Sequence, residues 1–207
     1  MIDLYTVATS NGQRASILLE EFGLPYTVHK VNLPGGDHLK PEFLAINPNG
    51  MGPVIVDRDG PGGKPLTVFE CGAIALYLAD KTGKLMPADL AGRAEVYKWL
   101  SVVIANLAPA FAGQYFTKIS AKEKVQSAID IFEGRAMRFL KVLDQRLGEV
   151  PYLAGASMTI ADLVAYPSAT TSVQRLPGGI PGLTHLQRWV ASMGARPGVQ
   201  KGMAVSS

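Results

Sequence analysis

Ala8-Thr9-Ser10-Asn11-Gly12-Gln13 is the stretch whose reading decides the fold. Before it, Ile2 to Val7 is an extended apolar opening. After it, apolar residues fall at Ala15, Leu18, Leu19 and Phe22, the i, i+3, i+4, i+7 spacing of one helix face. A strand therefore feeds a helix through a short polar turn. Ser, Thr and Asn carry side-chain oxygens that accept hydrogen bonds from the unpaired amides of a helix's first turn, where the positive end of the helix dipole also lies. Such a turn caps a helix, and it also binds anions and favours thiolates.

Composition narrows what this turn can serve. Of 207 residues, 47% are apolar and 18% charged, the balance of a globular chain with ample core material. The net charge is +3, with no run of Lys and Arg interleaved with aromatics, so small anionic ligands are expected as partners rather than nucleic acid. No segment approaches eighteen consecutive apolar residues and the N-terminus has no signal-peptide pattern, so a soluble cytoplasmic protein without a membrane partner is expected. One cysteine, Cys71, excludes an intramolecular disulfide and a CxxC pair. With three scattered histidines no metal site is expected.

Working outward, Gly23-Leu24-Pro25 ends the first helix and Tyr26 to Leu33 alternates as a second strand. A glycine-rich loop carries His38 towards a short helix at Pro41 to Ile46. Asn47-Pro48-Asn49-Gly50-Met51-Gly52-Pro53 then runs into a β-branched strand, Val54 to Asp57, and a proline there marks an edge, a bulge or a cis bond. A hairpin connection over Arg58 to Pro65 leads to the strand Leu66 to Phe69, and a helix begins at Glu70-Cys71 and ends at Gly83. The order βαβ, short helix, ββ, α is that of a thioredoxin-like domain, βαβαββα.

Beyond Lys84 to Asp89, a proline-bearing linker, the period is helical throughout. Ala91 to Leu107 reads as one helix. Ala121 to Leu147 reads as another, with a stripe at Ile129, Phe132, Ala136, Phe139, Leu143 and Leu147. Thr159 and Asp162 form a capping box, which makes Asp162 structural. Leu183 to Met193 closes the bundle, and the tail from Gly198 is expected to be loose. The expected fold is thus α/β plus all-α: a domain over residues 1–83, a linker at 84–89 and an all-helical bundle over 90–207.

The chain resembles the glutathione S-transferase superfamily. The resemblance rests on the strand-turn-helix, on Asn47-Pro48 followed by Gly52-Pro53-Val54, and on Phe69-Glu70-Cys71-Gly72-Ala73-Ile74. Thr9-Ser10-Asn11-Gly12, Lys40-Pro41-Glu42-Phe43-Leu44, Asn47-Pro48-Asn49 and Phe69-Glu70-x-Gly72-Ala73-Ile74-x-Leu76-Tyr77-Leu78 are most similar to the nu-class, glutathione-dependent disulfide oxidoreductases. The resemblance implies glutathione as cosubstrate, no metal, and a homodimer acting with a small electrophile, peroxide or disulfide. It implies a catalytic turn at Thr9, Ser10 and Asn11, with glutathione held by His38, Met51, Gly52, a cis Pro53, Val54, Glu70 and Cys71. It places Gln114 and Tyr115 at a second-substrate cleft, where core packing is the alternative reading.

Three positions depart from the family pattern. Ser10 stands where relatives often have proline. Met51 stands where many have a lysine, a cation that Arg14 or Lys40 would then supply. Cys71 replaces the usual serine, and reads either as an inert buried thiol or as a reactive one at a helix start. Tyr5 lies inside the first strand and is read as core. The implied activities are glutathione transfer, disulfide reduction or peroxide reduction in detoxification; the alternative is a non-catalytic binding or regulatory protein on the same fold.

Overall fold

The computed structural model describes residues 1–205. The chain divides into two compact units, one comprising Met1–Leu85 together with the stretch from Gly194 onward, the other Met86–Met193.

In the first unit, strand β1 (Ile2–Thr6) leads into helix α1 (Ser10–Phe22), followed by β2 (Tyr26–Lys30), the short α2 (Pro41–Leu44), β3 (Val54–Asp57), β4 (Leu66–Phe69) and α3 (Cys71–Thr82). The four strands form one sheet in the order β2-β1-β3-β4. β1 runs parallel to β2 and antiparallel to β3, with Leu4 opposite both Val28 and Ile55, and β3 and β4 pair antiparallel. The helix face anticipated from spacing is the buried one, since Ala15, Leu18, Leu19 and Phe22 are all in the core. α1 stops at Gly23, whose φ of 69° places it in the left-handed region that glycine enters without a Cβ penalty. The second strand is shorter than its alternation suggested, ending at Lys30.

At the end of β3, Asp57 is 1% exposed and surrounded by donors: the Tyr77 hydroxyl at 2.6 Å, Lys81 Nζ at 2.7 Å and the Asp59 amide at 3.0 Å. Burial alone would raise its pKa. Lys81, Tyr77 and the amide outweigh that and hold the carboxyl below its ordinary 3.8.

The tail corrects the reading of a loose C-terminus. Pro197–Val205 is a helix, α9, which packs along α1, with Val199 and Gly202 buried. Ser206 and Ser207 lie outside the described residues. The close approach depends on absent side chains: a Cβ on Gly202 would stand 2.5 Å from Ile17 Cα and 2.6 Å from its nitrogen. The space is used by Ser16, whose hydroxyl donates to the Gly202 carbonyl at 2.6 Å, and Arg196 forks onto Glu21 at 2.6 and 3.0 Å.

The second unit holds α4 (Leu90–Val102), α5 (Ala108–Tyr115), α6 (Gln126–Glu149), α7 (Ile160–Pro167) and α8 (Thr184–Gly194), the last crossing the boundary between units at its final residue. Where one helix ending at Leu107 was anticipated, the helical run continues from Leu90 to Ser120, through π turns at Val103–Leu107 and Phe116–Ser120. Pro109 sits in the first turn of α5, and the run passes through it without ending. By length and composition the run is apolar enough to cross a membrane, but it packs on α6 and α7 through Val96, Leu100, Leu107 and Phe111. α6 starts at Gln126 rather than Ala121. Its buried stripe is Ile129, Ala136, Leu140, Leu143 and Leu147, so Leu140 takes a place anticipated for half-buried Phe139. Asp162 caps α7 from the interior, accepting from the amides of Leu153 and Thr159, both at 2.9 Å, and from Trp189 Nε1 at 3.1 Å.

Two tests follow from this packing. Gly202→Ala is expected to lower unfolding free energy by about 2 kcal/mol, the range for overpacking, whereas Gly134→Ala, in an exposed turn of α6 with open space at its Cβ, is expected to raise it by about 0.5–1 kcal/mol. Urea denaturation of the two variants checks the contrast. Because the folded pKa of Asp57 is depressed, its contribution is complete above its unfolded pKa and lost as pH falls through the lower folded value. Lys81→Met should therefore move the acid-unfolding midpoint to higher pH, read by circular dichroism between pH 5 and pH 2.

Candidate active site

The turn begins with Thr9, whose extended backbone (φ −143°, ψ 166°) makes it the N-cap of α1. Its hydroxyl oxygen accepts from the Gly12 amide at 3.4 Å. An oxygen that accepts keeps its own hydrogen to donate. Ser10 is the first residue of the helix and is half-buried. Asn11 is exposed, and its carboxamide oxygen accepts from Arg14 Nη1. With the oxygen taken, the NH₂ end of Asn11 is the part left for a ligand.

Arg14 organises this corner. It is 2% exposed, and burial pulls its guanidinium below the ordinary arginine range, countered by the Cys71 sulfur that it touches. One side chain thereby joins the first turn of α1 to the first turn of α3. The Cys71 thiol also lies 3.6 Å from the Asn11 carbonyl oxygen. Burial pushes the thiol above its ordinary 9.0 despite Arg14, so at neutral pH it is protonated, which disfavours the reactive-thiol reading. Arg14 is committed to these partners, and Lys40 pairs with Asp37 at 2.7 Å, so neither stands as a free cation in place of the lysine that Met51 replaces.

The opposite wall is the loop before β3. The Gly52–Pro53 peptide is cis, as the family pattern implied, and Val54 opens the strand. Met51 is exposed, while its carbonyl accepts from Asn47 Nδ2 at 2.6 Å. A Cβ on Gly52 would meet Val7 Cγ1 at 2.7 Å, and one on Gly12 would meet the Val7 carbonyl oxygen at 2.0 Å. Val7 thus seats both the polar turn and the cis-proline loop. A Cβ on Gly50 would lie 3.2 Å from the His38 carbonyl, so the His38 turn packs on the same loop. His38 Nδ1 is buried without a hydrogen-bond partner, an atom for which a ligand would be a remedy. Tyr5 stacks on His29 at 4.6 Å and packs with Phe43, in the core as read.

Glu70 is a backbone outlier. It precedes α3 with φ 71° and ψ 125°, a conformation that L-residues with a Cβ rarely adopt, and its exposed side chain makes no capping bond. No signal in the sequence marked it as strained. The helical unit treats its two candidates differently. Gln114 has no exposed surface, which fits packing rather than a cleft lining: its Nε2 donates to the Arg175 carbonyl at 2.9 Å and to Glu133 at 3.3 Å. Tyr115 is 44% exposed, with the Arg175 guanidinium 5.9 Å from its ring centre. Among the described residues no group of three or more His, Cys, Asp or Glu is placed to hold a metal ion.

Glu70→Gly tests the strain. Relief of a positive-φ residue, less the chain entropy that glycine adds, is expected to raise unfolding free energy by about 1 kcal/mol in urea.

Comparison with known proteins gives this corner a family. Residues 9–81 match the glutathione S-transferase N-terminal domain and residues 84–197 the C-terminal domain. The chain is 39% identical to disulfide-bond oxidoreductase YfcG of Escherichia coli (strain K12) over 81% of its own length and 78% of that protein's. A glutathione transferase family member from Pseudomonas fluorescens pf-5, solved with two glutathione molecules bound, is 37% identical, with TM-score 0.92 and coverage of 98% of this chain and 92% of that one. A glutathione transferase from Pseudomonas putida with one glutathione disulfide bound per subunit is 34% identical, with TM-score 0.93 over 100% of this chain and 92% of that one. With both of its domains matched and a relative of this similarity, the chain belongs to the glutathione S-transferase family.

Proposed function

We propose that this protein is a glutathione-dependent disulfide reductase in which the Thr9–Asn11 turn holds the glutathione sulfur as thiolate. The observation that carries the reading is the fixed polarity of the turn: Thr9 accepts from Gly12 and Asn11 accepts from Arg14, so the hydroxyl hydrogen and the carboxamide NH₂ remain as donors. The His38 nitrogen without a partner, the loop at Met51, Gly52, Pro53 and Val54, and the strained Glu70 beside Cys71 support placing the tripeptide there. Backbone N–H groups at the helix starts suit its carboxylates, and the acidic Glu70 suits its ammonium group. The name of the E. coli relative and the glutathione disulfide in the P. putida structure support a disulfide as second substrate.

The chemistry needs no cysteine of the protein. A glutathione thiolate attacks one sulfur of the substrate RSSR, forming the mixed disulfide and expelling RS⁻, which takes up the proton the first glutathione gave up. A second glutathione thiolate attacks the glutathione sulfur of the mixed disulfide and expels the second RS⁻. Two glutathiones become one glutathione disulfide, and one disulfide becomes two thiols. The same thiolate serves conjugation of electrophiles and reduction of peroxides, the finer activities of this family. Within the Leu100–Leu107 segment Ile104 remains 39% exposed, which supports a homodimer.

Removing one donor tests the reading. Asn11→Ala is expected to lower kcat/KM for hydroxyethyl disulfide about tenfold at pH 7, and to move the acid limb of the pH–rate profile up by about 1 unit, since a charge-assisted hydrogen bond is worth about 1.5–3 kcal/mol. Turnover indifferent to Asn11→Ala, or no binding of either form of glutathione at millimolar concentration by calorimetry, would favour a regulatory protein that keeps only the fold.

A further inference from the structure

Helix α9 lies along α1 within the first unit, tied by the Arg196 fork on Glu21 and by the seat of Gly202 on Ile17. Between these, Gly198 closes on Glu21, where a Cβ would stand 2.8 Å from Oε1. Ser16 is fully buried, and its Oγ has three carbonyl oxygens within reach: Gly202 at 2.6 Å, and Gly12 and Gln13 of its own helix at 3.2 Å each. A hydroxyl has one hydrogen, and the nearest of the three takes it. While α9 is seated, Ser16 therefore donates across to α9 rather than back along α1.

The carbonyls that Ser16 leaves alone belong to the first turn of α1. The Gly12 carbonyl shares its peptide group with the Gln13 amide, which donates to the Thr9 carbonyl at 3.0 Å. On the other side of the same residue, the Gly12 amide donates to Thr9 Oγ1 at 3.4 Å. Without Gly202 to receive it, the hydroxyl turns to the Gly12 carbonyl four residues back, a bond that bends helices. That bend pulls on the peptide that fixes the Thr9 backbone, and so on the donors of the turn. Gly12 has little slack to absorb it, since its backbone is already closed against the Val7 carbonyl.

We propose that Ser16 is a positioning residue through which α9 sets the donor geometry of the Thr9–Asn11 turn, so that seating of the C-terminal helix controls ionisation of the glutathione sulfur. The proposal rests on the reading of that turn as a thiolate site. It gives α9 a task in the chemistry that is exercised through another helix, and every group in the relay belongs to the first unit.

The test measures the thiol pKa of enzyme-bound glutathione, from thiolate absorbance against pH, in a double-mutant cycle of Gly202→Ala and Ser16→Ala. Neither substitution changes a charge, so a shift reports geometry. Gly202→Ala lifts α9 and frees the hydroxyl, and is expected to raise the pKa by about 1 unit, the weakening of one hydrogen bond to the charge. In the Ser16→Ala background, where no hydroxyl can turn back, the same Gly202→Ala is expected to shift it by less than about 0.3 unit. An equal shift in both backgrounds, or none in either, overturns the proposal. Should Gly202→Ala not fold, Gly198→Val, which displaces Glu21 and lifts the start of α9, takes its place in the cycle with the same two outcomes. If glutathione does not bind the wild type, or titrates there as it does free, the thiolate reading fails by itself. Amide NMR shifts of Asn11, Gly12 and Gln13 then decide the relay. Changes caused by Gly202→Ala that disappear in the Ser16→Ala background sustain it, and changes that persist there, or are absent from both, sink it.

Discussion

The first unit is organised by how tightly backbone closes on Val7. A Cβ at Gly12 would fall 2.0 Å from the Val7 carbonyl oxygen and 2.6 Å from Thr6 Oγ1, and one at Gly52 would fall 2.7 Å from Val7 Cγ1. Val7 is itself 3% exposed and packs with Val31, Phe43 and Val54. Two chain segments forty residues apart in number are therefore seated on one side chain, and neither can move away without opening a void in the core. This fixes where α1 begins, and with it the direction in which its first amides and the Thr9 and Asn11 side chains are offered. A site that depends on donor geometry gains from being built on packed elements rather than on a free loop.

From the other side, Arg14 does by charge and hydrogen bonding what Val7 does by packing. It reaches the Asn11 carboxamide within its own helix and Cys71 at the start of α3. The arginine is tolerated at 2% exposure because its neighbours are acceptors: a carboxamide oxygen and a sulfur. The usual serine at the Cys71 position would offer Arg14 a harder acceptor. The thiol is the weaker partner, which leaves Arg14 more dependent on Asn11.

Much of this was legible in the residues because the signals were local. The i, i+3, i+4, i+7 spacing found the buried face of α1, Gly23 its end, and the Thr159-to-Asp162 spacing the cap of α7. What was not legible was non-local. Gly198 and Gly202 look like flexible residues in a tail, and only the approach of Ile17 and Glu21 shows that they are small because α1 is there. Likewise Phe116 to Ser120 stays helical through a π turn that no propensity marks, which delayed α6 by several residues. Within the candidate site, Thr9, Asn11, Gly52, Pro53 and Glu70 were named by the family resemblance, not by periodicity or composition. Arg14 as the tie between two helices and the strain at Glu70 were not, since an arginine in a helix ordinarily reads as solvated.

Cys71 also bears on how a sulfur is ionised at this place. It sits at the first residue of α3, near the positive end of a helix dipole and against a guanidinium, two influences that lower a thiol pKa, yet its thiol is pushed up because burial outweighs both. A helix start and a nearby cation are therefore not sufficient here. The Thr9–Asn11 turn differs in the two respects that matter: Asn11 is exposed, so the charged form is not stripped of water, and its donors are neutral groups aimed from short side chains. At about 1.5–3 kcal/mol for each hydrogen bond to a charge and about 1.4 kcal/mol for each pKa unit, two such donors are enough to bring an ordinary thiol near about 8.5 to neutrality or below. In the proposed reading that is why an enzyme with one cysteine, and that one protonated, can still run thiol–disulfide chemistry: the ionised sulfur belongs to glutathione, and the protein supplies the donors that keep it so.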